Sequence, residues 1–367
     1  MLDVNFFIKR LNLSKKETFL LKLYTSNTVT KDEVYSLLYD FDYSIEKETL
    51  PFNFLLAQLF QNNPHIEIPK NIEPRLKGVL RLFQYYNVSL LLSVKQLVAE
   101  LNKNDIPVMF IKNSSMKVFD ADKTRMMYVA DCAVPKERFS KTIEISKKLG
   151  FKINGKYGNV TEILKNDNQR IAVYHTLINS NKNVDKVYED IFKRAIKHEF
   201  HGLHILIANI EDFLFLLFNN GYNDIIYSQT FYKKISWLLD SFYIIKNNKN
   251  INWENVIRKA KETGSLAQIK IMLELFEYFL PNTIPHDLIS SIQISKREQK
   301  DFNLYTKNHL CFYRAQEIIK EIRIKEKSDF FGKTKLFAQF LYLKIIQRVP
   351  IINTLFFEKM ANKMFEC

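Results

Sequence analysis

The sequence predicts an α+β protein: a small mixed sheet with helices, flanked by N-terminal helices and a C-terminal helical bundle. Three observations carry this prediction. Glycine and proline are scarce, at 8 and 9 of 367 residues, which disfavours a turn-rich all-β sandwich. Apolar residues recur every three or four positions in the first hundred residues and again after Glu211. Between these regions the chain changes to short runs rich in Val and Ile, bounded by turn residues. The expected organisation is a helical region at 1–103, an α/β domain at 104–208, a helical bundle at 209–290 and a basic helical tail at 291–367.

Ser14 and Glu17 form a capping-box pattern ahead of FLLKLY, and DEVYSLLYDF supplies a second helix. Arg75 to Leu101 keeps Leu, Val, Phe and Tyr at helical spacing and ends where Asn102, Asn104 and Asp105 cluster. IPVMFI at 106–111 reads as a buried strand. SSMKVFD follows as a short helix with Ser114 as its cap. YVADCAV is a second strand. Lys136 to Leu149 forms a helix with Phe139, Ile143, Ile145 and Leu149 inward, stopped by Gly150. FKINGKYG and RIAVYHTLI alternate as strands do, and FHGLHILIA reads as a further strand or hairpin. After Glu211 four helices follow, with ends expected at Asn-Gly, at Lys-Asn-Asn-Lys-Asn and at Pro281.

The totals narrow the function. Hydrophobic residues make up 47% and aromatic residues 14%, so the chain has the material for a sizeable core. Cys132, Cys311 and Cys367 lie far apart with no CxxC spacing, which supports neither a disulfide framework nor a zinc site and fits a reducing cytoplasm. MLDVNFFIKRLNLSKKE lacks the order of a secretory leader, and no run of about 18 apolar residues predicts a membrane span. The net charge of +14 reflects either a Lys-, Asn- and Ile-rich composition or an anionic partner: a nucleotide, a nucleic acid or an anionic lipid surface. KTKLFAQFLYLKIIQR in the tail has the apolar stripe and cations for peripheral membrane contact, or else packs on the bundle with its lysines solvated.

Asp131 is the residue that asks for an explanation. It sits in VADCAV, among side chains that want to be inside, and burying a carboxylate without a partner is costly. Cys132 points to the opposite side of the strand and reads as a core thiol.

The order of segments and several motifs together resemble the uncharacterised bacterial nucleotidyltransferase family, a distant branch of the polymerase-β-like nucleotidyltransferases. The resemblance runs from about 75 to 285. NDIPVMFIKNSSM (104–116) matches the family's opening phrase, with Lys112 in the lysine place and Asn113 where glycine is expected. Arg125 and VADCAVP (129–135) stand where the family has an arginine and then Asp-x-Asp. AVYHTL (172–177) stands where it has a third Asp shortly before a His. EDFLFLLFNNGY, WLLDSFYII and INWENVIRKAKETG follow in the expected sequence.

That family transfers a nucleotidyl group from a nucleoside triphosphate using Mg²⁺ held by three carboxylates. Two of them stand at i and i+2 on one strand and the third on its neighbour. Counted on the motifs, the first position is Val129, the second is Asp131 and the third, two before His175, is Val173. Valine cannot coordinate a metal, so Asp131 alone remains as catalytic and metal-binding carboxylate. The resemblance then implies a degenerate pseudoenzyme that binds a nucleotide or a protein or peptide partner in a biosynthetic pathway, with nucleic acid a weaker candidate. Mg²⁺ would be needed only if catalysis survives through carboxylates at Asp120, Asp122, Glu162 or Asp167. A third reading is a scaffold or membrane-surface module working through the tail. Lys112, Ser114, Ser115 and Arg125 are the candidate nucleotide-binding residues, though the serines also suit capping and Arg125 also suits pairing with Asp131. His175 is the family's strand histidine and suits a rim position. In HEFHGLH, His198, His201 and His204 have metal-like spacing on a helix, but strand alternation sends His198 and His201 to opposite faces.

Overall fold

Local capping chemistry starts the N-terminal helices. The computed structural model describes residues 3–307 other than 27, 120–125, 158, 166–168, 178–182, 229 and 305. Asp3 accepts from the Phe6 amide at the start of α1 (Val4–Leu11). Reciprocal capping boxes, Ser14 with Glu17 and Thr30 with Glu33, open α2 (Lys15–Thr25) and α3 (Lys31–Tyr39). Thr49 caps the almost fully buried α4 (Leu50–Asn62). α5 (Glu73–Lys103) is 31 residues long and buries Leu90, Val94, Leu97, Val98 and Leu101 along one stripe.

The middle of the chain builds a seven-stranded mixed sheet. Its strands are β1 (Met109–Phe110), β2 (Val129–Ala133), β3 (Lys152–Tyr157), β4 (Val160–Leu164), β5 (Arg170–Tyr174), β6 (Ile196–Phe200) and β7 (Leu203–Ile207), in the order β3-β4-β5-β2-β1-β7-β6. β2 runs parallel to β5 and β1 parallel to β7; the other neighbours are antiparallel. α6 (Lys112–Phe119), a 3₁₀ turn (Lys136–Arg138), α7 (Phe139–Lys148) and α8 (Val184–Arg194) are interleaved with the strands. Ala130 and Cys132 of β2 join Ile171 and Val173 of β5 in a buried cluster with the α5 stripe, while Phe139, Ile143 and Leu149 pack beside it. Each large side chain buried this way stabilises the fold by about 1.5–3 kcal/mol.

The helical region after the sheet comprises α9 (Ile210–Tyr227), α10 (Phe231–Asn247), α11 (Trp253–Thr263), α12 (Leu266–Phe279) and the short α13 (His286–Ser291). Asp212, near the start of α9, is wholly buried between Lys259 of α11 and Arg194 of α8, so one ion cluster ties three helices together. Among the described residues, those from 3 to 294 form one compact unit and those from 295 to 307 belong to a second. In the second, the described residues include a helix at 296–304, opened by Ser295 and Glu298 bonding reciprocally. The tail segments expected near 310–324 and 333–347 lie outside the described residues.

Four expectations need correction. The strand expected at 106–111 is only two residues long, because Pro107 has no amide to donate and the Ile106 amide closes the end of α5 on Leu101. α6 begins at Lys112, so Ser114 lies inside the helix and does not cap it. α9 does not end at Asn220-Gly221. Gly221 sits inside it, and a Cβ there would fall 2.3 Å from Cγ of Trp237. β4 and α8 were not expected at all. The HEFHGLH segment is a hairpin, as its alternation indicates: His201 and Gly202 take positive φ angles at its turn, and His198 and His204 occupy opposite faces.

Candidate functional site

The face of β2 and β5 away from the α5 core is the floor of a cleft. β2 presents Val129 and Asp131 to it, and β5 presents Arg170, Ala172 and Tyr174. β4 adds Glu162, which pairs with Ala172, so Asp131, Ala172 and Glu162 form one row across three strands. α9 and α10 form the opposite wall with Asp224, Lys233 and Asp240. The cleft has a volume of about 680 Å³.

Asp131 is 8% exposed and is the centre of a polar chain. The Tyr174 hydroxyl donates to Asp131 Oδ1 at 3.1 Å. Lys112 Nζ donates to Tyr174 Oη at 2.9 Å and lies 4.0 Å from Asp131 Oδ1. The ammonium also stands 4.9 Å from the centre of the Tyr174 ring, within cation–π range. Lys112 reaches this place from a strained backbone, with φ at +51° where β1 turns into α6. Left-handed backbone costs a non-glycine residue about 1–2 kcal/mol, and such strain is concentrated at functional positions.

Burial raises the Asp131 carboxyl above its ordinary range, against the downward pull of Lys112 and of the Tyr174 hydrogen bond. Burial pushes the Tyr174 phenol up to about 12. Burial pulls the Lys112 ammonium down, but Tyr174, Asp131 and Asp224 together outweigh it and the net shift is upward. Burial also lifts Asp224 to about 6, opposed by Lys112 and Lys233. Arg170 stands 3.8 Å from Glu162, so this carboxylate too has a cation at hand.

Several expected site residues lie elsewhere. Ser114 and Ser115 are buried, and their hydroxyls are committed to the backbone: Ser114 Oγ accepts from the Asp131 amide at 2.9 Å and Ser115 Oγ donates to the Phe110 carbonyl at 2.6 Å. Neither lines the cleft. Ser114 therefore positions Asp131 through its main chain. His175 lies outside the cleft, against the Phe139 ring at 4.6 Å. Val173 is fully buried in the α5 core, on the opposite face from Asp131. The cleft position facing Asp131 is Ala172, one residue earlier, because strand pairing and not distance from His175 decides which side chains share a face. Arg125, Asp120, Asp122 and Asp167 lie outside the described residues. Cys132 is a core thiol, raised to about 12 by burial and by Asp131.

Among the described residues the donor set does not fit a two-metal centre. Val129 and Ala172 bring methyl groups to either side of Asp131, and the Asp131 carboxylate faces a phenol and an ammonium. Among the described residues no group of three His, Cys, Asp or Glu side chains is placed to hold a metal ion. Sequence reasoning missed Tyr174, Ala172, Arg170, Asp224 and Lys233. Nothing local distinguishes them; only the sheet pairing and the packing of α9 and α10 bring them to Asp131.

A profile of the uncharacterised nucleotidyltransferase family matches residues 52–281, well over half of the chain. The chain belongs to that family. Among solved structures, the solution structure of the antibiotic-resistance factor ANT(2″)-Ia aligns over 52% of this chain and 96% of its own, at 10% identity and a TM-score of 0.36, a likeness too distant to bear on mechanism. Comparison with curated proteins finds no match. Among the described residues no helix is long and apolar enough to cross a membrane.

Proposed function

We propose that the cleft over β2 and β5 binds a nucleotide and that this chain does not carry out two-metal nucleotidyl transfer. Val129 and Ala172 flanking Asp131 are the observation that carries this reading. In-line displacement at phosphorus relies on divalent ions clamping the attacking and leaving oxygens, and Mg²⁺ requires near-octahedral oxygen ligation. A methyl group at both neighbouring positions removes the oxygens that would supply it. The binding half of the family's function keeps its materials: Lys112, Arg170 and Lys233 offer charge-assisted donors for phosphate oxygens, and Tyr128 and Tyr232 offer aromatic surface for a base. A concave cleft with a few convergent charges suits a small molecule better than a protein or peptide partner. The setting consistent with this reading is a cytoplasmic biosynthetic pathway.

A second reading is supported by Glu162 and Asp224, which line the same cleft as Asp131 and would form a displaced carboxylate set. Pyrophosphate release separates the two readings. With ATP, GTP, CTP or UTP and Mg²⁺ or Mn²⁺, the first reading expects background release. Sustained release that disappears in Asp131→Asn and Glu162→Gln establishes the second.

A further inference from the structure

Beside the cleft over β2 and β5 lies a second cavity of about 510 Å³, walled by α2, α4 and α10. Tyr232 and Asp240 of α10 line both cavities, so the two share a wall. Four carboxamides line the second one: Gln58 and Asn62 of α4, Asn63 at that helix's end, and Asn247 of α10. Gln58 is buried, and the Tyr24 hydroxyl donates to its Oε1 at 3.0 Å, which fixes the plane of the amide. Asn63 and Asn247 donate through Nδ2 to the carbonyls of Leu59 and Tyr243, at 2.8 Å each, and keep Oδ1 as an acceptor. Tyr232, Phe242 and Tyr243 add aromatic surface. The charged lining residues are Asp240 and Lys246, and their charges cancel.

Each of these features narrows the ligand. A lining with no net charge gives an ion no advantage. An apolar ligand would desolvate the amides and leave them unbonded, which is costly. A carboxamide both donates and accepts, as a ligand hydroxyl does. A nucleobase carries its hydrogen-bonding atoms at the rim of one plane, whereas polar side chains here arrive from three helices. The hydroxyls of a sugar ring point in several directions. Its C–H faces suit aromatic rings, whose own faces carry partial negative charge.

We propose that this second cavity binds a neutral saccharide, held by hydrogen bonds to the carboxamides and by packing on the aromatic rings. The proposal does not depend on what the cleft over β2 and β5 binds. Through Tyr232 and Asp240 a saccharide here lies next to any ligand there. Binding alone is proposed, with no covalent step.

The test is saturation-transfer-difference NMR of the full chain with glucose, galactose, mannose, N-acetylglucosamine, maltose and lactose, and with adenosine and uridine for comparison. The proposal expects transfer to at least one of the saccharides. Asn62→Ala combined with Asn247→Ala removes two amides from the exposed mouth of the cavity and should weaken that saccharide by about tenfold or more. Tyr243→Leu should weaken it too, with a urea midpoint recorded for each variant to confirm folding. No transfer to any of the saccharides overturns the proposal, and so does a saccharide whose Kd ignores the double variant. Adenosine or uridine binding that is lost in the double variant, with no saccharide bound, would make the cavity a nucleoside site and overturns the proposal as well. A nucleotide that binds the chain while no saccharide does leaves the cleft reading intact and removes only this one.

Discussion

Asp131 stands directly opposite Ala172 across the parallel β2–β5 pair. A methyl group therefore occupies the neighbouring-strand position from which a second strand could bring a carboxylate to the same metal. Val129, two residues before Asp131, lines the same cleft and offers no oxygen donor.

Restoring both donors should restore metal binding. In the double variant Val129→Asp, Ala172→Asp, three carboxylates share one face, with neighbouring strands about 4.8 Å apart. Without metal their mutual repulsion lowers the melting midpoint. Added Mg²⁺ or Mn²⁺ should raise it by several degrees, since a ligand at 100 times its Kd stabilises by about 2.7 kcal/mol. Differential scanning calorimetry with and without metal gives the answer. A variant whose midpoint ignores metal would show that the backbone here no longer supports such a site.

Tyr174 holds the polar chain together, so Tyr174→Phe should uncouple it. The change keeps the ring and removes only the hydroxyl that accepts from Lys112 and donates to Asp131. The expected loss is about 1–2 kcal/mol in urea unfolding. The Asp131 carboxyl should rise further, because a donor to its charged form is gone. Carbon-13 titration of the aspartate carboxyls reads that shift; a fall would contradict the geometry described for the site.

Asp224 should imprint a slope on the pH dependence of stability. Its folded value is about 6, raised chiefly by burial, against an ordinary value of 3.8. A raised carboxyl keeps its proton in the folded state after the unfolded chain has lost it. The folded state therefore binds more protons between about pH 4 and 6, and stability falls as pH rises through that window. The loss is about 3 kcal/mol and persists above pH 6. Asp224→Asn should flatten this part of the profile, as measured by urea unfolding at a series of pH values. An unchanged slope would remove Asp224 from the account.

Gly221 provides a test of the wall opposite the sheet. An alanine methyl would be driven to 2.3 Å from Trp237 Cγ, inside a packed α9–α10 contact. Overpacking of this kind costs about 1–3 kcal/mol. Gly221→Ala should lower the thermal midpoint accordingly, and Gly221→Ala combined with Trp237→Leu should recover part of the loss. Full stability in the single variant would mean the two helices can separate freely.

How much of this could be read from the residues depends on the range of the interactions. Ser14 with Glu17, the long stripe from Arg75 to Leu101 and the Gly150 stop are local patterns, and each produced the element expected of it. Asp131 was legible because a lone carboxylate in an apolar run has to be explained. Gly221 misled because Asn-Gly usually marks a turn, while here the missing side chain makes room for a tryptophan sixteen positions away. β4 escaped because VTEIL offers only five alternating residues. The face of Val173 could not be read from a motif spacing, since pairing with β2 sets it. Asp224 and Lys233 look like ordinary polar positions on amphipathic helices. Only the packing of α9 and α10 over the sheet brings them to Asp131.

The central proposal is that the Asp131 cleft binds a nucleotide without two-metal transfer. Electron paramagnetic resonance of Mn²⁺ titrated into the nucleotide-free protein tests it most directly. The account predicts that the signal stays that of free aqueous Mn²⁺ at stoichiometric protein. One or two bound Mn²⁺ ions per chain, lost in Asp131→Asn, would contradict it.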